Sequence, residues 1–141
     1  MPPARILLKR EESYAIHALI NICEHPGTNA AEIVERLKMP YAFTAKVLTK
    51  LVKAGLIESQ TGRSGGVRLL VDLNNISLLD VIEKMSGPLA LDTCETSERC
   101  ATQERTGRCN LKRAWLAGTA EIRQILSKVK LAQLCGATNE S

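Results

Sequence analysis

A mainly α-helical fold carrying one small β-hairpin is what this sequence predicts, and three observations predict it. Apolar residues recur at helical spacing in several separate stretches. Two helical stretches open with a capping-box pair, Asn29 with Glu32 and Ser77 with Asp80, and glycine or proline closes most of the others. One segment alone reads as strand: "LIESQTGRSGGVRLLV", two β-prone runs flanking a glycine-rich turn over Thr61 to Gly66.

The elements follow in order. "REESYAIHALINICE", residues 10–24, puts Tyr14, Ala15, Ala18, Leu19, Ile22 and Cys23 on one helical face, and Pro26-Gly27 ends it. A short second helix starts in "NAAEIVERL". In "MPYAFTAKVLTKLVKAG", Pro40 suits the first turn of a third helix and Gly55 the position after its last. Val47, Leu48, Leu51 and Val52 form its expected buried stripe, leaving Tyr41, Ala42, Ala45, Lys46, Thr49 and Lys53 exposed. After the hairpin, "SLLDVIEKMSG" is a fourth helix stopped by Gly87, and Pro88 opens a cysteine-bearing loop. From Asn110 a long helix is expected to run to residue 134. Leu111, Trp115, Gly118, Ile122, Ile125, Val129 and Ala132 alternate spacings of four and three, the heptad seam of a helix that pairs with another chain.

The expected organisation is a helical and hairpin domain over residues 1–88, a cysteine loop over 89–109, a dimerisation helix over 110–134 and a tail over 135–141. A chain of 141 residues with 3% aromatics builds one modest core from Leu, Ile, Val and Ala. The net charge of +4 is mild, but four lysines and no acid lie between Lys38 and Lys53. A local basic patch of that kind suits a polyanion. No stretch is apolar for long enough to span a membrane, and the N-terminus lacks the apolar run of a secretory signal, so a cytoplasmic location is expected. There is no Gly-rich phosphate loop and no Ser/His/Asp or His/Glu constellation, so an enzyme is not expected. His17 and His25 read as structural or surface residues.

Cys94, Cys100 and Cys109 fall within sixteen residues, and the chain has five cysteines. An odd number in a chain expected to be cytoplasmic argues for metal or redox chemistry rather than a disulfide framework. Thiolates suit zinc, copper(I) and iron–sulfur clusters. Gaps of five and eight residues are not the paired spacing of a four-thiolate zinc site. A metal-free thiol switch, a zinc-binding regulator and a zinc- or thiol-stabilised protein-interaction module stay open beside the cluster. Cys23 reads as a buried, inert thiol and Cys135 as part of a frayed tail.

Three helices followed by a glycine-tipped hairpin is the order of a winged helix-turn-helix, in which the third helix enters the major groove and the hairpin reaches the backbone or minor groove. On that reading Tyr41, Lys46, Thr49 and Lys50 of the third helix, with Arg63 and Ser64 of the wing, face double-stranded DNA.

"SYAIHALINIC", "GLIESQTGRSGGVRLL", "ISLLDVIEKMSGP" and a three-cysteine loop before a Trp-bearing long helix resemble the dimeric winged-helix regulator family that includes IscR, NsrR, RirA and CymR. The resemblance covers about residues 5 to 134. It implies a homodimer that binds palindromic promoter DNA, mostly as a repressor. It further implies a 2Fe–2S or 4Fe–4S cluster on the three cysteines that reports iron, redox state or nitric oxide. Three thiolates and one weaker ligand would leave one iron open to attack, which suits a sensor. Glu95, Glu98 and Glu104 would keep an anionic cluster solvated and away from DNA.

The departures from the family are as informative. IscR-like members carry a His three residues after the third cysteine, where this chain has Lys112. NsrR-like members take an Asp from the first helix of the other chain, where this chain has Ser13, beside Glu12. The fourth ligand is therefore expected from Glu12 or Ser13 of the partner. The acidic base-reading residue of IscR-like members falls at Ala45.

Overall fold

Helix α1 spans Arg10–Glu24, the bounds expected from the sequence, and buries Ala15, Ala18, Leu19 and Ile22. The structure is a computed structural model that describes residues 3–60, 65–97 and 109–136. Helix α2, Ala30–Leu37, begins at the reciprocal cap of Asn29 and Glu32: Glu32 N donates to Asn29 Oδ1 at 2.9 Å, and Asn29 N to Glu32 Oε1 at 3.2 Å. Lys38 closes α2 in the left-handed conformation, φ 52°, a position glycine more often fills. Pro40 then caps α3, Tyr41–Lys53. Its buried positions are Thr44, Val47, Leu48 and Leu51. Val52, expected in that stripe, is 41% exposed. Thr44 takes the inward place, because its hydroxyl is satisfied within the helix by donating to the Pro40 carbonyl at 3.2 Å.

Gly55, at φ 78°, turns the chain from α3 into the wing. Strands β1, Ile57–Ser59, and β2, Val67–Leu69, pair antiparallel with Glu58 opposite Arg68, and those two side chains form an ion pair. Thr61 to Ser64 lie outside the described residues. Gly66 works differently from the turn glycine expected there. A Cβ on it would lie 2.8 Å from the Thr28 carbonyl oxygen and 3.1 Å from that of Gly27. Val67 N donates to the same Thr28 oxygen at 2.9 Å, so the bare glycine lets the base of the wing dock on the α1–α2 loop. Gly66→Ala is expected to cost roughly 1–3 kcal/mol, the usual range for overpacking against atoms that cannot move aside. Urea unfolding would measure it; an unchanged midpoint would mean the loop yields without cost.

Helix α4, Leu78–Ser86, starts at the expected Ser77–Asp80 box, with Asp80 N donating to Ser77 Oγ at 3.1 Å and Ser77 N to Asp80 Oδ2 at 2.9 Å. Helix α5 spans Asn110–Ser127. The helix expected to reach residue 134 therefore stops seven residues short. Its continuation is recruited by the winged domain: Leu78 N donates to the Val129 carbonyl at 2.9 Å and Leu131 N to the Ile76 carbonyl at 2.8 Å. Leu131 is fully buried beside Leu19, Ile33, Leu51 and Leu56 in the one core of the domain. Val129 and Ala132 are consequently off the heptad seam.

The segment after it is fixed too, where a frayed tail was expected. Gly136 N donates to Glu24 Oε2 at 2.6 Å, and the half-buried Cys135 packs beside Cys23, its thiol pushed up to about 12 by burial and then by a hydrogen bond with Cys23. Among the described residues no helix is long and apolar enough to cross a membrane.

Candidate nucleic-acid interface and cysteine loop

Helix α3 shows one side to the core and the other to solvent. On the open side Tyr41 is 61% exposed at the helix start, Lys46 and Thr49 are exposed, and Lys50 is half-buried. The Thr49 hydroxyl donates to the Ala45 carbonyl at 2.8 Å. These four expected residues all lie off the buried stripe of the helix, with Tyr41 and Lys50 at its two edges. The other two, Arg63 and Ser64, lie outside the described residues.

The sequence reading missed what holds that face in order. Arg10 lays its guanidinium 5.5 Å from the Tyr14 ring centroid and 5.2 Å from that of Phe43, and the two rings meet edge-on at 5.5 Å. This packs the first turn of α1 onto α3. Glu11 then reaches across: Lys46 Nζ lies 2.8 Å from its Oε1 and Lys50 Nζ 2.5 Å from its Oε2. Hydrogen bonds from Lys46 and then Lys50 hold the Glu11 carboxyl at about 2, well below its ordinary 4.5. It is anionic throughout the neutral range. No local pattern could have announced this contact, because its partners lie 35 and 39 residues apart in the chain.

The neighbouring Glu12 is turned inward and 5% exposed, and its Oε1 accepts from Lys9 N at 2.7 Å, capping α1. It lines a cavity of about 350 Å³ with Leu7, Leu89, Leu91, Thr119 and Ile122. Ser13, the other candidate fourth ligand, is half-buried.

The cysteine loop is fastened to α5 at several points. Glu83 of α4 accepts from Leu89 N at 2.8 Å and pairs with Arg123. Glu95 accepts from Leu91 N at 2.6 Å and from the Thr119 hydroxyl at 2.9 Å. Its carboxylate is thus a fastener, where the sequence suggested a solvating charge. Glu98 and Glu104 lie outside the described residues. Thr119 is 6% exposed, a buried hydroxyl that needs such partners.

Cys94 sits in a short 3₁₀ turn, Thr93–Glu95, where its N–H donates to Asp92 Oδ1 at 3.0 Å. Cys109 is the N-cap of α5, its Sγ accepting from Lys112 N at 3.3 Å. The sulfur thus sits at the N-terminal, positive end of the helix dipole. Lys112 does a second job: its Nζ donates to the Ser97 carbonyl at 3.3 Å. One residue therefore ties down both stretches, three residues beyond Cys94 and three beyond Cys109. Cys100 lies outside the described residues, and among those described no three Cys, His, Asp or Glu side chains gather closely enough to hold a metal ion. The indole Nε1 of Trp115 is buried without a hydrogen-bond partner among the described residues.

The expected heptad seam is divided in two. Trp115, Gly118 and Ile122 are half-buried on their own chain, whereas Leu111 and Ile125 are 54% and 62% exposed. Gly118 lies so close to the loop that a Cβ would meet Leu91 Cδ1 at 2.9 Å.

A tri-helical head, a two-stranded wing and a basic outer face on the third helix define a winged helix-turn-helix protein. A model of the Rrf2 family, described as iron-dependent transcriptional regulators, matches residues 8–137. The chain belongs to that family. It is 27% identical over 124 residues to the transcriptional regulator IscR of Vibrio campbellii, covering 86% of this chain and 72% of that one. In structure it is similar to IscR of T. potens, TM-score 0.71 at 22% identity over 92% and 85% of the two chains. It is equally similar to CymR, the global cysteine regulator of B. subtilis, TM-score 0.71 at 18% identity over 97% and 100%. At those identities the structural likeness speaks for the fold. The regulator assignment rests on the family match, and with it the chain is a transcriptional regulator and not an enzyme.

Proposed function

We propose that the protein is a homodimeric repressor whose grip on promoter DNA is governed by an iron–sulfur cluster bound at Cys94, Cys100 and Cys109. The observation that carries the reading is Lys112, which takes hold of Cys109 Sγ through its N–H and of Ser97 through its ammonium. The two described stretches that carry Cys94 and Cys109 are thereby tied to the first turn of α5. Soft thiolate donors fit an iron–sulfur cluster. The group, when bound, would supply a redox-sensitive, damageable iron centre. This chain supplies the three thiolates and the dipole of α5. It also links the loop to the α4–α5 frame, through Glu83 and Glu95.

The fourth position is assigned to α1 of the partner chain, at Ser13 or Glu12. Glu12 would give up its bond to Lys9 N to serve there. Two chains are held together by the apolar side chains the single chain leaves bare, Ile6, Leu7, Leu111 and Ile125 among them. Tyr41, Lys46, Thr49 and Lys50, with Arg63 and Ser64 of the wing, meet the DNA, the lysines through phosphates.

Anaerobic purification followed by an absorption spectrum and iron, sulfide and zinc analysis tests the cofactor. A brown protein containing iron and sulfide is expected. A colourless zinc protein, or a metal-free one after reconstitution, rejects the reading. On the DNA side, affinity should fall steeply with salt, and Lys46→Ala should flatten the log–log slope by about one unit per half-site. An unchanged slope in Lys46→Ala and in Arg63→Ala would place the DNA elsewhere.

A further inference from the structure

We propose that Glu11 sets how tightly the protein holds the DNA backbone, acting as a built-in rival of phosphate for Lys46 and Lys50. This rests on the assignment of α3 as the DNA-facing helix. The two lysines are four residues apart, so they stand one turn above another on the same face. Each takes one oxygen of the same carboxylate, at 2.8 Å and 2.5 Å. Both acceptor atoms of Glu11 are used, and both are used on the residues expected to meet phosphate.

The arrangement is built rather than incidental. Glu11 follows Arg10, whose guanidinium is held over Tyr14 and Phe43, so the first turn of α1 is docked beside α3. The Glu11 side chain is 21% exposed, less than Lys46 at 60% and Lys50 at 39%. A carboxylate with each oxygen taken by a different ammonium is a fixed part of that face.

The trio of one anion and two cations therefore carries a single net positive charge toward DNA. A phosphate that approaches either ammonium must displace Glu11 or share the cation with it. Removing the anion would double the net charge, the equivalent of one further phosphate neutralised per chain. For duplex DNA each such contact steepens the log–log salt slope by about 0.9 and tightens binding at 0.1 M salt by about eightfold relative to 1 M salt. Because the backbone carries no sequence information, this gain should fall on any duplex. Glu11 thus restrains indiscriminate binding, leaving affinity to depend on contacts that read sequence.

The test is fluorescence anisotropy of a labelled random-sequence duplex titrated with the purified 141-residue chain over a series of potassium chloride concentrations. Wild type is compared with Glu11→Gln and, as a second removal of the charge, Glu11→Ala, after thermal unfolding has shown that each variant is folded. The expected result is binding about eightfold tighter per chain at 0.1 M salt and a slope steeper by about 0.9 for both variants. If both match wild type while Lys46→Ala and Lys50→Ala weaken binding, the rivalry is refuted and the DNA-facing assignment of α3 survives. Weaker binding in the Glu11 variants also refutes it, making the carboxylate a positioner of the lysines. If wild type and all variants bind alike with no salt dependence, the DNA-facing assignment fails and the rivalry fails with it.

Discussion

Replacing Leu111 and Ile125 together by glutamate is expected to yield a folded monomer whose affinity for promoter DNA falls by about 10²–10⁴-fold. Both side chains are more than half exposed on the single chain, at 54% and 62%. Within one chain such surface changes cost little, usually within about 0.5 kcal/mol. Across a two-fold axis the same residues count twice. Each is worth roughly 1.5–3 kcal/mol when fully buried, so the four side chains of the two chains stand to lose at most about 6–12 kcal/mol. The DNA effect follows because two linked heads bind two half-sites with the second contact made intramolecular, an advantage of about 10²–10⁴. Sedimentation at micromolar concentration and anisotropy with a palindromic operator duplex measure the two effects. A dimeric double variant would move the interface off this face of α5.

Cys109→Ser and Cys109→Ala should lose the cluster equally yet differ in the stability of the cluster-free protein. Sulfur at this position is proposed as a ligand and is observed as the cap of α5, accepting from Lys112 N. Serine removes the thiolate and keeps a capping acceptor, whereas alanine removes both. A lost N-cap costs about 1 kcal/mol. The alanine variant should therefore unfold at lower urea concentration than the serine variant, with neither containing iron or sulfide after anaerobic reconstitution. Cys94→Ser should also lose the cluster. Retention of iron and sulfide in any of these variants would remove that cysteine from the ligand set.

What the sequence disclosed, and what it withheld, divides by range. The Asn29–Glu32 and Ser77–Asp80 caps were legible because each closes over three residues and uses only side chains of fixed preference. The hairpin was legible from its glycines, although Gly66 proved to be there for the Thr28 carbonyl, a neighbour that only the folded chain brings near. Periodicity pointed to α5 but could not say what its apolar stripe packs against. Thr119 and Ile122 turned toward their own cysteine loop, and Ile125 did not. Glu11 stands next to Glu12 in the chain and carries no local signal of its own. Its meeting with Lys46 and Lys50 depends on how α1 crosses α3, which no spacing encodes. Lys112 was noticed for lacking an imidazole, while its ammonium and N–H hold Ser97 and Cys109.

The return of Leu131 into the core has a consequence for how the protein is made. Synthesis runs from the N-terminus, and early segments generally fold as they emerge. Here the head cannot close its interior when the wing has left the ribosome, because the side chain that fills it is encoded more than fifty residues later and is pinned by Ile76. Until then the nascent head exposes an apolar hollow. The cysteine loop and α5 must both be translated before the winged head is finished, so no chain released early would carry a completed head without them.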